Sequence, residues 1–327
     1  MAAPVRRAGA RVALAGLGRV GGTAAAAVMA LPRSMSGIDE LLIHDVDRGN
    51  AERWLLELKS IAQWRVPQPG PRVRLASVVE MFEKCDAFIF AATESVPPVG
   101  WSGDVRRAQF APNREILAGF LREARKAAFT GMFLVVSDPV ELLAQAAFHD
   151  SNVDQRGRFS GQGLAPERVA GLALGVMWAR ALACARELGW EEEFRRRGGA
   201  FGPHGVDIAV FDDLRAPDRE RSERLTRAAR EGNYQLRERG FLPYVGPAFS
   251  SVALTLPGLL AGRTVPLSPF VGGLYFGAPG RLQWGVYPSP SRVAAGVRAA
   301  LAELHHRLSA GLDALELTFR PRARRSG

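Results

Sequence analysis

The apolar residues of this chain form short continuous runs that are separated by polar and amphipathic stretches. Each run is long enough for a strand that is buried on both faces of a sheet. Four of them occupy residues 12–15, 41–43, 87–92 and 132–136. Residues 51–61 and 106–127 carry apolar side chains at helical spacing. Strands and helices that alternate in this order predict a doubly wound α/β domain with a parallel sheet.

From about residue 150 the alternation gives way to long helical segments and short strands. We therefore predict an α/β domain at residues 1–150 and a mixed α+β domain at residues 151–318. Residues 319–327 are rich in arginine, which predicts a basic, disordered tail.

A glycine-rich turn follows the first predicted strand. Gly16, Gly18 and Gly21 have the spacing G-x-G-x-x-G and precede an alanine-rich predicted helix. In a dinucleotide-binding βαβ unit the first glycine permits a tight turn and the second lets the backbone approach a pyrophosphate. The third lets the helix pack closely on the strand, and the free N–H groups of that helix would face the phosphates.

The second predicted strand ends in a carboxylate, Asp45. An acid at this place hydrogen-bonds the ribose hydroxyls of NAD and repels the extra phosphate of NADP. Asp45 therefore favours NAD, a preference that Arg48 would weaken. The alternative interpretation is an ordinary turn between strand and helix with a solvated aspartate.

Composition narrows the classes of function. The chain has 327 residues, 47% of them hydrophobic, and no run of eighteen apolar residues that could span a membrane. Its N-terminus lacks the apolar stretch of a signal peptide, so we expect a cytoplasmic protein.

The formal net charge of +10 would suit a protein that binds a polyanion, but the basic residues are scattered among acids, which is typical of a solvated surface rather than a nucleic-acid site. We expect Cys85 and Cys184 to be buried thiols and not a disulfide.

Beyond the glycine turn, several short motifs resemble those of the lactate and malate dehydrogenase family, in the same order along nearly the whole chain. Arg106 and Asn113 keep the spacing of the family's lid arginine and the asparagine that follows it. Arg180 resembles an arginine that comes later in the family pattern. Residues 135–141, 168–171 and 202–205 resemble, in turn, V-S-N-P-V-D, R-V-I-G and G-E-H-G. The resemblance implies an N-terminal NAD-binding Rossmann domain, a C-terminal substrate domain, a small-molecule carboxylate substrate and a homodimer or homotetramer.

The resemblance also implies roles for three side chains. Arg180 would bind the substrate carboxylate in a two-pronged ion pair, a geometry to which a guanidinium is suited. Arg106, carried in on a lid, would polarise the substrate carbonyl. His204 would donate a proton to the carbonyl oxygen as the nicotinamide delivers a hydride to the carbon.

By the same resemblance, two sets of residues surround the cofactor and the substrate. The predicted cofactor-binding residues are Gly16, Gly18, Arg19, Val20, Gly21, Asp45, Ala92, Asn113 and Ser137. The predicted substrate-binding residues are Trp101, Arg106, Asp138, Met177, Arg180, His204 and Pro243. The spacing of the cysteines does not indicate a metal site.

Two positions depart from the family pattern. Where the family has an aspartate that pairs with the catalytic histidine, this chain has Met177, and an apolar neighbour is expected to lower the pKa of His204. Where the family has an asparagine that holds the substrate oxygen, this chain has Asp138, whose charge would repel an oxyanion. Either Asp138 replaces the missing partner of His204, or it binds a cationic group such as an amine or iminium. A third alternative is that the site has lost its activity.

The segment at residues 93–103 predicts a lid, because it contains Pro97, Pro98 and Trp101 and follows the end of a predicted central strand. It is longer than the family's usual loop, and Pro243 stands where the family often has a threonine. These differences predict a substrate that is larger or more apolar than lactate or malate. The leading hypothesis is an NAD-dependent oxidoreductase that acts on a carbonyl or imine of such a carboxylate-bearing substrate. The alternative is a non-catalytic protein of the same fold that binds NAD(H) or a carboxylate.

Overall fold

A six-stranded sheet forms the centre of the molecule. The computed structural model describes residues 9–62, 69–102, 105, 107–154, 156–205, 207–282, 292–313, 315 and 317. The strands of the sheet are β1 (Ala10–Ala15), β2 (Ile38–His44), β3 (Arg72–Leu75), β4 (Ala87–Phe90), β5 (Met132–Val135) and β6 (Val169–Gly171). All are parallel, in the order β3-β2-β1-β4-β5-β6. The predicted doubly wound parallel sheet is confirmed.

Helices cover both faces of this sheet. In the first half of the chain they are α1 (Arg19–Met29), α2 (Arg33–Ser36), α3 (Arg48–Lys59), α4 (Val78–Lys84), α5 (Phe110–Lys126) and α6 (Val140–Asn152). Because side chains alternate along a strand, Ala13 and Phe88 face one core while Val12 and Ile89 face the other. Helices α4, α5 and α6 close the first core, and α1 and α3 close the second.

The second half of the chain is mixed, as predicted. Its helices are α7 (Leu174–Glu187), α8 (Glu191–Arg197), α9 (Arg219–Glu238), α10 (Leu256–Leu260) and α11 (Ala295–Asp313), with a π-helical segment at Pro247–Ala253. Its strands are β7 (Gly199–Phe201), β8 (Ala209–Phe211), β9 (Val265–Leu267), β10 (Phe270–Val271), β11 (Leu274–Tyr275) and β12 (Ala278–Gly280). They form antiparallel pairs, β7 with β8, β9 with β12 and β10 with β11.

A third core joins α7, α8 and α9, in which Met177 and Ala181 pack against Leu225 and Ala229. This packing fixes the two long helices side by side.

The domain boundary near residue 150 stays a prediction. Strand β6 follows this boundary in the chain and still belongs to the main sheet. The predicted basic tail at residues 319–327 lies outside the described residues.

The two cysteines are free thiols. The prediction of burial is correct for Cys85, where burial raises the pKa of the thiol to about 12. It is wrong for Cys184, which is only half-buried because it lies toward the outer side of α7. Among the described residues, every helix is too short or too polar to cross a bilayer.

The glycine turn after β1 gives a test of the packing, because its glycines have different surroundings. A Cβ at Gly21 would lie 1.9 Å from the carbonyl oxygen of Gly16, whereas a Cβ at Gly18 would meet nothing within 4 Å. We expect Gly21→Ala to lower the free energy of unfolding by about 1–3 kcal/mol or more, since backbone has to move. Gly18→Ala, with an ordinary φ of −69°, is expected to stay within about 1 kcal/mol of wild type. Urea unfolding of the three proteins measures the difference, and equal losses for both variants would contradict this packing.

Candidate active site

A cavity of about 310 Å³ opens at the carboxyl ends of β1 and β4. The strand order reverses between these two strands, and this is where open α/β sheets bind ligands. The predicted site residues that line the cavity are Gly18, Arg19, Val20, Ser137, Asp138, Arg180, His204 and Pro243. They come from five separate parts of the chain, so the fold brings half of the predicted site residues together around this cavity.

The other predicted residues do not line the cavity. Those that the structure describes are Gly16, Gly21, Asp45, Ala92, Trp101, Asn113 and Met177. Arg106, the predicted lid arginine, lies outside the described residues. Trp101 is half-exposed, at 50%, on the part of the predicted lid that is described.

The glycine turn has the local geometry that a dinucleotide-binding turn needs. Gly16 has a φ of +94°, and a Cβ there would lie 2.4 Å from the backbone nitrogen of Ala92, so this position requires glycine. Gly18 caps the start of α1 and faces open space. The turn is thus tight at its base and open above the first N–H groups of the helix, where a phosphate would bind.

Asp45 lies beside this turn. One of its carboxylate oxygens, Oδ2, accepts hydrogen bonds from the backbone nitrogen of Leu17 at 2.6 Å and from Nδ2 of Asn50 at 3.2 Å. The other oxygen, Oδ1, accepts from the backbone nitrogen of Asp47 at 3.0 Å. The acid at the end of β2 is therefore held next to the glycines, as the dinucleotide fingerprint requires.

A network of hydrogen bonds joins the turn after β5 to the segment after β4. The hydroxyl of Ser137 donates to the carbonyl of Ala92 at 2.6 Å. The buried amide of Asn113 accepts from the backbone nitrogen of Glu94 at 3.1 Å and donates to the carbonyl of Asp138 at 2.8 Å. Asn113 and Ser137 thereby fix the backbone that presents Asp138 to the cavity.

His204 follows β7 in a short loop and borders the cavity. Its ring nitrogen Nδ1 lies 3.3 Å from the carbonyl oxygen of Ala173. Because a carbonyl can only accept, this contact is a hydrogen bond when the ring carries a proton on Nδ1.

Glu141 is a site residue to which the sequence analysis gave no role. It is buried at the start of α6, where Oε1 accepts from the hydroxyl of Ser268 at 2.7 Å and Oε2 accepts from the backbone nitrogen of His204 at 3.2 Å. Burial raises the pKa of the Glu141 carboxyl, and the nearby charge of Asp138 raises it further. The carboxyl of Glu141 therefore holds the loop that carries His204 in position. In the sequence, the signal for Glu141 is an acidic residue at the start of a predicted helix that is otherwise apolar.

Arg180 reaches the cavity from the second turn of α7. Its Nη1 lies 3.4 Å from the carbonyl oxygen of Ala229 and 3.7 Å from Sδ of Met177. Its aliphatic stem packs on Gly232, where a Cβ would lie 2.8 Å from Cδ. Met177 is fully buried behind the arginine, in the core between α7 and α9.

The sequence analysis also missed two polar residues of α9 that line the cavity. Asn233 and Arg237 lie one turn apart on α9 and are only 8% and 9% exposed. Along this helix they continue a buried stripe that begins with Leu225 and Ala229, at a spacing of four residues. The signal in the sequence is that polar residues occupy the inner face of an amphipathic helix.

Solved structures of lactate dehydrogenases are similar to this chain along nearly its whole length. A lactate dehydrogenase enzyme from a Medee basin deep-sea metagenome library has 20% sequence identity and a TM-score of 0.72, over 94% of this chain and 99% of that one. The minor L-lactate dehydrogenase from Enterococcus mundtii, in a ligand-bound form, has 20% identity and a TM-score of 0.73, with the same coverage. This chain has the lactate dehydrogenase fold. No family model and no curated protein sequence matches it.

The lactate dehydrogenase fold confirms, at the level of the fold, the resemblance that the short motifs indicate. A fold hosts many reactions, so the chemistry has to be argued from the side chains around the cavity. Those side chains include a histidine, arginines and an unusual aspartate in one place.

Glu141 gives a pH-dependent test of this arrangement. Its pKa is raised above the ordinary value of 4.5 in the folded protein, so the folded state keeps a proton that the unfolded state releases. The stabilisation is complete below about pH 4.5 and is lost as the pH rises toward the folded pKa. Glu141→Gln cannot titrate. Its unfolding free energy minus that of wild type should therefore increase with pH above 4.5, by at most about 1.4 kcal/mol per unit.

Urea unfolding of both proteins between pH 4 and pH 8 measures this difference in unfolding free energy. The control is Glu192→Gln, which replaces an exposed glutamate of α8 and should leave the difference flat. A flat difference for Glu141→Gln as well would show that the carboxyl does not titrate abnormally.

Proposed function

We propose that this protein is an NAD(H)-dependent oxidoreductase that reduces a carbonyl, or an imine, of a carboxylate-bearing small molecule. One observation carries the proposal. Arg180, His204 and Asp138 come from three separate elements and line one cavity together with Gly18 of the glycine turn. A nucleotide turn, a carboxylate-binding group and a proton donor are the parts that such a reduction needs.

The residues around the turn fit a dinucleotide. Gly18 and Arg19 border the cavity, and Gly18 leaves room for a pyrophosphate above the start of α1. Asp45 would accept hydrogen bonds from the ribose hydroxyls, which favours NAD over NADP. When bound, NADH would supply a hydride to the carbonyl carbon of the substrate.

The chain's own side chains would handle the substrate and the proton. Arg180 would bind the carboxylate and thereby orient the carbonyl in the cavity. As the carbon gains the hydride, the electrons of the C=O π bond move to the oxygen, and Nε2 of His204 would donate a proton to it. Arg106 is proposed to close over the substrate and polarise the same oxygen.

Asp138 and Met177 set this site apart from the family pattern. We propose that Asp138 takes over as the carboxylate partner of His204, and the alternative is that it binds an amine or iminium of the substrate. Either role of Asp138 is consistent with a non-standard substrate that is larger or more apolar than lactate or malate. A homodimer or homotetramer remains a proposal from the resemblance.

The second candidate function is a non-catalytic protein that binds NAD(H) or a carboxylate. The specific observation in its favour is that Met177, buried behind Arg180, leaves that side of the site without the family's carboxylate. Cofactor binding would be the same for both candidates, and turnover distinguishes them.

The deciding experiment follows the oxidation of NADH by absorbance with a panel of 2-oxo acids. The panel runs from pyruvate and oxaloacetate to bulky and amino-bearing 2-oxo acids, each with and without ammonia. Turnover that requires ammonia would assign Asp138 to a cationic group, and turnover without it would favour the partnership with His204. Tight NADH binding without turnover across the panel would favour the non-catalytic protein.

Arg180 is expected to dominate the binding of the substrate. With a substrate identified in this panel, Arg180→Ala should lower kcat/KM by about 30-fold to several thousand-fold, which corresponds to the loss of one buried charged pair. The control is Arg186→Ala on the same helix, whose guanidinium is exposed and paired with Glu191. An unchanged kcat/KM for Arg180→Ala would remove this residue from the site.

A further inference from the structure

Arg237 is a buried cation without a carboxylate partner in the described part of the chain. It is 9% exposed, and among the residues that the structure describes no carboxylate oxygen lies within 4 Å of its guanidinium. A buried charge is costly unless an opposite charge or hydrogen bonds compensate it. Arg237 lines the cavity, so a ligand can provide that charge.

The hydrogen bonds of Arg237 are confined to one end of the guanidinium. Nη1 donates to the carbonyl oxygens of Pro97 and Pro98, both at 3.3 Å, and Nη2 lies 3.4 Å from that of Pro97. Nε is buried and has no hydrogen-bond partner among the described residues. The edge formed by Nε and Nη2 therefore keeps donor capacity, because a guanidinium carries five N–H groups.

This edge is the one with which other arginines of the chain bind carboxylates. Arg114 holds Asp150 through Nε and Nη2, both at 2.8 Å. Arg186 holds Glu191 through the same two nitrogens, both at 2.7 Å. Arg237 presents the same two donors without such a partner, and this favours a carboxylate as its ligand.

Asn233 lies one turn before Arg237 on the same buried face of α9. Its side-chain oxygen Oδ1 is buried without a hydrogen-bond partner in the described residues, although the residue is only 8% exposed and lines the cavity. Buried polar atoms are rarely left unpaired. An amide oxygen and a carboxylate both only accept hydrogen bonds, so of this amide only the Nδ2 group could donate to a carboxylate.

Arg180 lies at the other end of the same wall. Its stem packs on Gly232, five residues before Arg237 on α9. At a rise of 1.5 Å per residue, these two positions are about 7–8 Å apart along the helix. A single extended molecule could reach both arginines.

We infer that Arg237 forms a second anion subsite, between α9 and the predicted lid, for a carboxylate at the far end of the substrate. This inference rests on the proposed function, in which Arg180 binds the first carboxylate. The substrate is then a 2-oxo acid that is longer than malate and ends in a second carboxylate. The contacts with Pro97 and Pro98 couple its binding to the position of the lid.

The test measures affinity and does not need turnover. The protein saturated with NAD⁺, which has no hydride to transfer to a 2-oxo acid, is titrated calorimetrically with matched pairs of 2-oxo acids, in which 2-oxoglutarate is compared with 2-oxopentanoate and 2-oxoadipate with 2-oxohexanoate. We expect wild type to bind at least one dicarboxylate about 10- to 100-fold more tightly than its matched monocarboxylate. Arg237→Gln should abolish this preference and leave the affinity for monocarboxylates within about threefold.

Arg239→Gln is the matched control, because Arg239 follows the same helix and is exposed. It should keep the preference. Asn233→Asp provides a second variant in case Arg237→Gln does not fold: it places a negative charge on the same wall and should also remove the preference. If Arg237 only anchored the lid, its replacement would weaken both members of each pair equally.

The inference is overturned if wild type shows no preference in either pair, including the case in which neither ligand binds, or if the preference survives in Arg237→Gln. Its failure can be told from that of the proposed function. A preference that depends on Arg237 in a protein that never oxidises NADH would keep the subsite and remove the enzyme. Turnover of monocarboxylates without any preference would keep the enzyme and remove the subsite.

Discussion

The site depends on the close approach of the turn after β1 to the segment after β4. An added Cβ at Gly16 would lie 2.4 Å from the backbone nitrogen of Ala92, and one at Gly21 would lie 1.9 Å from the oxygen of Gly16. The strand order reverses at this junction, and the crevice above it is where open α/β sheets bind ligands. The same contact brings the start of α1 next to Ser137 and the turn after β5. Every other part of the site is built on this junction.

The carboxyl of Glu141 extends this frame into the second half of the chain. It ties α6 to the loop of His204 and to Ser268, which lies between β9 and β10. A carboxyl held by two donors in a dry environment fixes the backbone of the histidine without touching its ring. The position of His204 thus depends on a residue that precedes it by 63 positions in the sequence.

What the sequence could predict follows from the range of the interactions. The buried strands, the glycine turn and Asp45 depend on neighbours within one βαβ unit, so periodicity and spacing are sufficient to predict them. Arg237 is different, because it contacts Pro97, 140 positions away, and its helix shows only an amphipathic pattern. The pattern of α9 predicts which face is buried but not what lies opposite. Met177 shows the same limit, since a position three residues before Arg180 is compatible with either the cavity or the core behind it.

The charges around the cavity connect the departures from the family pattern with the inferred subsite. Relative to that pattern, Met177 removes one carboxylate and Asp138 adds one, so the two changes together leave the charge near His204 unaltered. They move the negative charge from α7 to the turn after β5. Among the buried described residues that line the cavity, Arg237 is the cation without a carboxylate partner. In the proposed function the first carboxylate of the substrate binds Arg180, and a second carboxylate would neutralise Arg237. Charge balance therefore favours a dianionic substrate even though the family's histidine partner is absent.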